Sequence, residues 1–118
     1  MNQLKKILQQ FLAIFNHHSS ETYQQNGLQI TEKNGLFEVG LTNQILEEVG
    51  EISFIKSPDL NDQINQGDQL LDVEGGKVVE TFPAPTNGKI VALNSAIIDH
   101  PNNLSEQSQQ WLVTIKSN

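Results

Sequence analysis

Cysteine and arginine are both missing from this chain. Without cysteine there is no disulfide scaffold, no thiolate zinc site, no iron–sulfur cluster and no cysteine nucleophile. The same absence suits a reducing compartment, and a cytoplasmic location is expected. All seven basic residues are Lys, against 14 Asp and Glu, for a net charge of −7. No guanidinium fork is available to grip phosphate or guanine, and a net anion is repelled by a polyanion. Nucleic acid is therefore not an expected partner. Aromatic residues make up only 6% of the chain, so the core must be aliphatic and thin. No apolar run approaches the roughly 18 residues of a membrane span, so an integral membrane protein is not expected. A length of 118 residues leaves room for one small domain.

What charge there is lies unevenly. Residues 1–37 carry three Lys and two Glu, whereas residues 38–118 carry four Lys and twelve acids, +1 against −8. The larger part thus presents an acidic surface suited to solubility or to basic protein partners.

Residues 2–15 read as an amphipathic helix. Leu4, Ile7, Leu8, Phe11, Leu12 and Phe15 form one stripe, with Lys5, Lys6, Gln9 and Gln10 off it. Lys5 and Lys6 ahead of an apolar stretch also suit a signal peptide. Gln9-Gln10 interrupts that stretch and no A-x-A site follows, so a packing helix is expected and not a secretion signal or membrane anchor. Such a helix is expected to lie on the domain or to pair with its copy in a homodimer. Residues 16–27 are polar and read as a linker. The domain division expected is 1–20 for the helix and the start of the linker, and 28–118 for a β domain.

From Leu28 the period is two. Asn34-Gly35 is a hairpin signal leading into a strand from Leu36 to Leu41. Thr42 suits the cap of a short helix from Asn43 to Val49, which Gly50 ends. Further strands are expected from Ile52 to Ile55, Gln69 to Glu74, Lys77 to Phe82, Lys89 to Leu93 and Trp111 to Lys116. Trp111 is expected to anchor the core, and residues 94–110 to be irregular. Gly67 and Gly88 each precede a short apolar strand, 21 positions apart, and flank the Gly75-Gly76 hairpin. Two such halves facing each other would make a flattened barrel.

Catalytic constellations are missing as well. There is no nucleophile elbow, no phosphate-cradling loop and no H-E-x-x-H. His17 and His18 are adjacent and His100 is distant, so no metal site is expected. The segment from Asp72 to Val79 places Lys77 at the tip of a two-glycine hairpin, three residues after Glu74. A hairpin tip displays an amine well. On spacing alone, an ordinary surface lysine explains the same pattern.

The wider context resembles the H protein of the glycine cleavage system. Val39-Gly40-Leu41-Thr42, Ile52-Ser53-Phe54-Ile55, Val73-Glu74-Gly75-Gly76-Lys77, Ala84-Pro85-Thr86-Asn87-Gly88 and Trp111-Leu112-Val113 match that family's V-G-I-T, strand, V-E-x-x-K, A-P-x-x-G and W-L segments in order. The resemblance implies a barrel-sandwich hybrid fold and lipoate attached covalently at Lys77. It implies that Glu74 and Gly88 are read by the attaching enzyme, a lipoate ligase or a lipoyl or octanoyl transferase. Partners implied are glycine decarboxylase, aminomethyltransferase and dihydrolipoyl dehydrogenase. The carrier itself would catalyse nothing, since the chemistry belongs to the arm and the partner enzymes. Biotinyl domains flank their lysine with Met, whereas here the neighbours are Gly76 and Val78. Alternatives are an H-like relay protein in lipoate salvage or transfer, and an unmodified interaction module.

Three segments depart from the family. Glu74-Gly75-Gly76-Lys77-Val78 replaces E-S-V-K-A, and the extra glycine is expected to loosen the tip. Asn26-Gly27-Leu28 stands near the place of H-E-W, and P-Y-G-x-G is lacking before Trp111.

Overall fold

The computed structural model describes residues 20–104 and 111–118, so the helix expected over residues 2–15 lies outside the described residues. The first part of the fold is a three-stranded meander, β1 (Ser20–Gln25), β2 (Leu28–Lys33) and β3 (Leu36–Leu41). Two Asn-Gly turns join these strands. Asn26 and Gly27 have φ of 52° and 84°, and Asn34 and Gly35 have 53° and 80°. Both central residues at positive φ make turns whose twist matches paired strands, and Asn-Gly tolerates that conformation best. Residues 20–25 are therefore no linker. They pair along their whole length with β2, from Ser20↔Lys33 to Gln25↔Leu28. Their polarity is that of a strand with, among the described residues, one bonded neighbour and a largely exposed face.

Helix α1 (Asn43–Val49) follows directly. The Thr42 hydroxyl accepts from the Ile45 N–H at 3.2 Å, which satisfies one unpaired donor of the first turn. Ile45, Leu46 and Val49 face inward, and Gly50 ends the helix at φ 75°. The chain then builds β4 (Ile52–Lys56), β5 (Gln63–Ile64), β6 (Gln69–Gly75), β7 (Val79–Pro83) and β8 (Gly88–Leu93). A one-turn helix α2 (Ser95–Ile98) and a 3-10 turn at Pro101–Asn103 occupy a stretch expected to be irregular. Strand β9 (Trp111–Ser117) is last.

Two sheets result, one ordered β1-β2-β3-β9-β8-β5 and one ordered β4-β6-β7. The fold is mainly β with few helices, as a barrel-sandwich reading requires. The C-terminal strand enters the middle of the large sheet between β3 and β8, so closure depends on residues far apart in the chain. Leu28, Ile30, Val39 and Leu41 from the meander, Leu71 and Val73 from β6, and Ile90, Leu112, Val113 and Ile115 from β8 and β9 form the buried centre. Among the described residues it is almost wholly aliphatic, with Phe82 as its one aromatic member. Trp111 does not anchor it. That indole is half-buried at the start of β9, and the strand's core positions are Leu112, Val113 and Ile115. The two glycine-led strands that echo each other lie in different sheets, β6 in the small one and β8 in the large one.

Candidate functional site

Strands β6 and β7 pair as Glu74↔Val79, and the Gly75 N–H donates to the Val78 carbonyl at 3.0 Å. Gly76, Lys77 and Val78 connect the strands, with Gly76 and Lys77 inside that bond. Lys77 therefore stands in the turn, not in the strand that follows. Its side chain is exposed, as is that of Glu74.

The turn is held by the segment between α1 and β4. The Gly76 N–H donates to the Glu51 carbonyl at 2.9 Å, and the Lys77 N–H donates to the Val49 carbonyl at 3.2 Å. The Lys77 ammonium reaches the Glu47 carbonyl at 3.4 Å. The last carbonyls of a helix lack intrahelical partners and carry its partial negative charge. Lys77 thus supplies donors to two of them, one from its backbone and one from its side chain. Its methylenes lie over Gly50, where a Cβ would sit 3.4 Å from Lys77 Cγ.

Against the expectation of a looser tip stand the two backbone bonds above and a close approach at Gly75. Gly75 lies so close to Val49 that an added Cβ would collide with the Val49 carbonyl oxygen. Glycine at that position allows the close approach, and the approach permits the clamp. Nothing in the local sequence announces it. Thr42 and Gly50 mark the helix ends, but no pattern says that residues 49–51 meet residues 76–77.

Gly88 is elsewhere. It is buried in the large sheet, paired with Ile64 and Ser117, where a Cβ would collide with the Lys116 carbonyl oxygen. It lies at the Gly67-Asp68 end of β6, whose seven residues span about 20 Å, while Lys77 lies beyond the other end. Glu74 and Lys77 are brought together, and Gly88 is not. The packing of β8 on β9 requires a glycine there in any case.

Across the small sheet Phe54 pairs with Glu74, and Glu74 with Val79. Two rows further from the tip, Asp72 accepts from Thr81 Oγ1 and from Gln69 Nε2, each at 2.7 Å. Among the described residues no group of His, Asp and Glu could hold a metal ion. Among them also, no helix is long and apolar enough to cross a membrane. The arrangement offers one exposed primary amine on a clamped turn. A covalent acyl arm fits this, because attachment through an amide needs an accessible nitrogen and no enclosing pocket.

Comparison with known proteins agrees with the resemblance. Residues 21–118 match the family described as glycine cleavage H-protein. The chain is similar to a glycine cleavage system H protein of Kocuria rhizophila, 31% identical over 80% of this chain and 76% of that one. It is similar to another from Staphylococcus epidermidis, 36% identical over 71% and 68%, and to one from Acaryochloris marina, 38% identical over 66% of this chain and 62% of that relative. Among solved structures, a glycine cleavage system H protein from Mycobacterium marinum superposes with a TM-score of 0.74 at 24% identity, covering 85% of this chain and 84% of that one. With both sheets, the short capped helix and the V-E-x-x-K hairpin in place, the chain belongs to the glycine cleavage H-protein family.

Proposed function

We propose that the protein is a lipoyl carrier of the glycine cleavage H type, with lipoate in amide linkage to Lys77. Family membership supports the carrier role in glycine cleavage. The observation that carries the attachment site is Lys77 in the two-residue turn, exposed, with Glu74 three positions before it. With ATP as the activator, Nζ takes the lipoyl group from its adenylate, AMP leaves as the amide forms, and the ammonium gives up its protons, so one positive charge is lost and the chain goes from −7 to −8. The arm then swings from a turn whose backbone is clamped at Val49 and Glu51. A rigid base with a mobile end suits a group that visits several active sites. In this reading the arm carries an aminomethyl group and then electrons, and the protein catalyses nothing itself. Glu74 and Gly88 serve recognition by the attaching ligase or transferase, Glu74 directly and Gly88 by holding the sheet. The partners are glycine decarboxylase, aminomethyltransferase and dihydrolipoyl dehydrogenase, and the compartment is the cytoplasm.

The test is to incubate apo-protein with a lipoate ligase, ATP and lipoate, then to measure intact mass and map the modified peptide. One adduct at Lys77 is expected. An adduct at Lys56 or Lys89, or none with the ligases and transferases of the host, overturns the assignment.

A further inference from the structure

Three Asn-Gly pairs lie among the described residues, Asn26-Gly27, Asn34-Gly35 and Asn87-Gly88. In each, the glycine nitrogen stands near the carbon of the asparagine side-chain amide, and glycine has no side chain to hinder its approach. The fold treats the three differently. The Asn87 side-chain oxygen accepts from the Gln66 N–H at 2.6 Å. Gly88 is buried in the large sheet, with the Lys116 carbonyl oxygen where a Cβ would stand. That pair is held from both sides. Gly27 packs under the core, where Phe82 and Ile45 would lie 2.9 and 3.0 Å from an added Cβ. Its carbonyl accepts from the Thr42 N–H at 3.1 Å. Asn34 is exposed at the end of the β2–β3 hairpin, and a Cβ at Gly35 would meet the Ser117 hydroxyl at 3.3 Å. The Gly35 N–H donates to the Glu32 carboxylate, with Oε2 at 3.2 Å.

We infer that Asn34 is a site of intramolecular deamidation, with the Glu32 carboxylate as its general base. A base must lie within hydrogen-bond reach of the proton it takes, and Glu32 Oε2 does so at 3.2 Å. The Gly35 nitrogen gives its proton to Glu32 and bonds to Asn34 Cγ. The bond from Cγ to the side-chain nitrogen breaks, and ammonia leaves with the proton that Glu32 held. Water then opens the succinimide at one of its two carbonyls, leaving aspartate or isoaspartate at position 34. The turn must open for the attack, since positive φ at Asn34 and Gly35 sets their peptide for strand pairing. An exposed hairpin end opens locally at lower cost than a buried strand. The product carries one more carboxylate, taking the chain from −7 to −8. Isoaspartate also adds a methylene to the main chain of a two-residue turn. It disturbs the Lys33–Leu36 row and the bond from the Ser117 N–H to the Gly35 carbonyl, 2.8 Å, which ties the end of β9 to this turn. The change falls on the large sheet, whereas Lys77 stands on the hairpin of the small one.

The experiment is ageing of the full-length protein in warm neutral buffer, with peptide mapping of each Asn-Gly pair over time. A protein isoaspartyl methyltransferase with S-adenosylmethionine labels the isoaspartate formed. Asn34 should convert about tenfold faster than Asn26 or Asn87, whose glycines are packed or paired. Glu32→Gln keeps an acceptor beside the Gly35 N–H but cannot take its proton, and should slow conversion at Asn34 about tenfold. Should that variant fail to fold by circular dichroism, Glu32→Asp, which withdraws the carboxylate by one methylene, is read for the same slowing. In urea the three pairs should convert at similar rates. Aged protein rich in isoaspartate should melt below Asn34→Asp, which has the charge without the added methylene. Conversion at Asn26 or Asn87 as fast as at Asn34 overturns the site. An Asn34 rate unchanged in the folded Glu32 variants overturns the role of the carboxylate. A lead for Asn34 that persists in urea belongs to the neighbouring sequence and overturns the argument from the fold.

Discussion

Gly75 has no space for a methyl group, because the Val49 carbonyl oxygen occupies it. Backbone cannot yield as a side chain would, so Gly75→Ala must push the turn off its seat. A loss of about 2–3 kcal/mol is expected in denaturant unfolding, with slower lipoylation as the clamp opens. Lys77→Ala is the contrast. The side chain lies over Gly50 and reaches Glu47, so it does touch the protein, yet it is exposed, and its backbone bonds survive the change. Its cost should stay under about 0.5 kcal/mol by the same measurement. Equal losses for the two variants would refute the clamp. Tyr23 offers a cleaner signal, since it is the only tyrosine. Burial first, then the carboxylates Glu32 and Glu21, hold its hydroxyl above the ordinary value of 10.0. The folded state therefore keeps the proton to higher pH than the unfolded chain. Its contribution to stability is full below pH 10 and is lost as pH rises through the folded value. Tyrosinate absorbance should titrate late in the folded protein and earlier in denaturant. Identical titrations would show that the ring is not shielded.

Strand β9 shows how much an element's place in a sheet matters. It is bonded to both β3 and β8, and it buries Leu112, Val113 and Ile115. Ile115→Ala should cost about 2–5 kcal/mol, whereas Trp111→Ala, at a half-buried position, should cost clearly less. Thermal unfolding of the two variants gives the order, and a larger loss at Trp111 would place the indole in the core after all. Strand β1 is the opposite case. Among the described residues it has one bonded neighbour, its residues are mostly polar, and its register is held by the Asn26-Gly27 turn and the ladder to β2. An edge strand needs no alternating apolar face, which is why polarity alone suggested a linker.

At the scale of the molecule, the first described strand begins at Ser20. Removing residues 1–19 should leave the β domain folded and still a ligase substrate. Removing residues 1–27 should strip β1 and expose the edge of β2, with a clear fall in melting temperature. Light scattering of the full chain and the shorter deletion then tests whether the apolar stripe of residues 2–15 pairs two copies, as the sequence suggests. Unfolding of the shorter deletion would make that stripe part of the core. Much of the architecture was legible beforehand. The strand Leu36–Leu41, the helix Asn43–Val49 with its Thr42 cap, and the hairpin bearing Lys77 are each written in a few neighbouring residues. Turn glycines, a capping hydroxyl and alternation of apolar residues act within a handful of positions, so they can be read without knowing what lies opposite. The seat of the turn on residues 49–51, the distance between Gly88 and Lys77 and the demotion of Trp111 could not be read that way. Each follows from which distant faces are buried together, and that choice belongs to the free energy of the whole core, which no single segment contains.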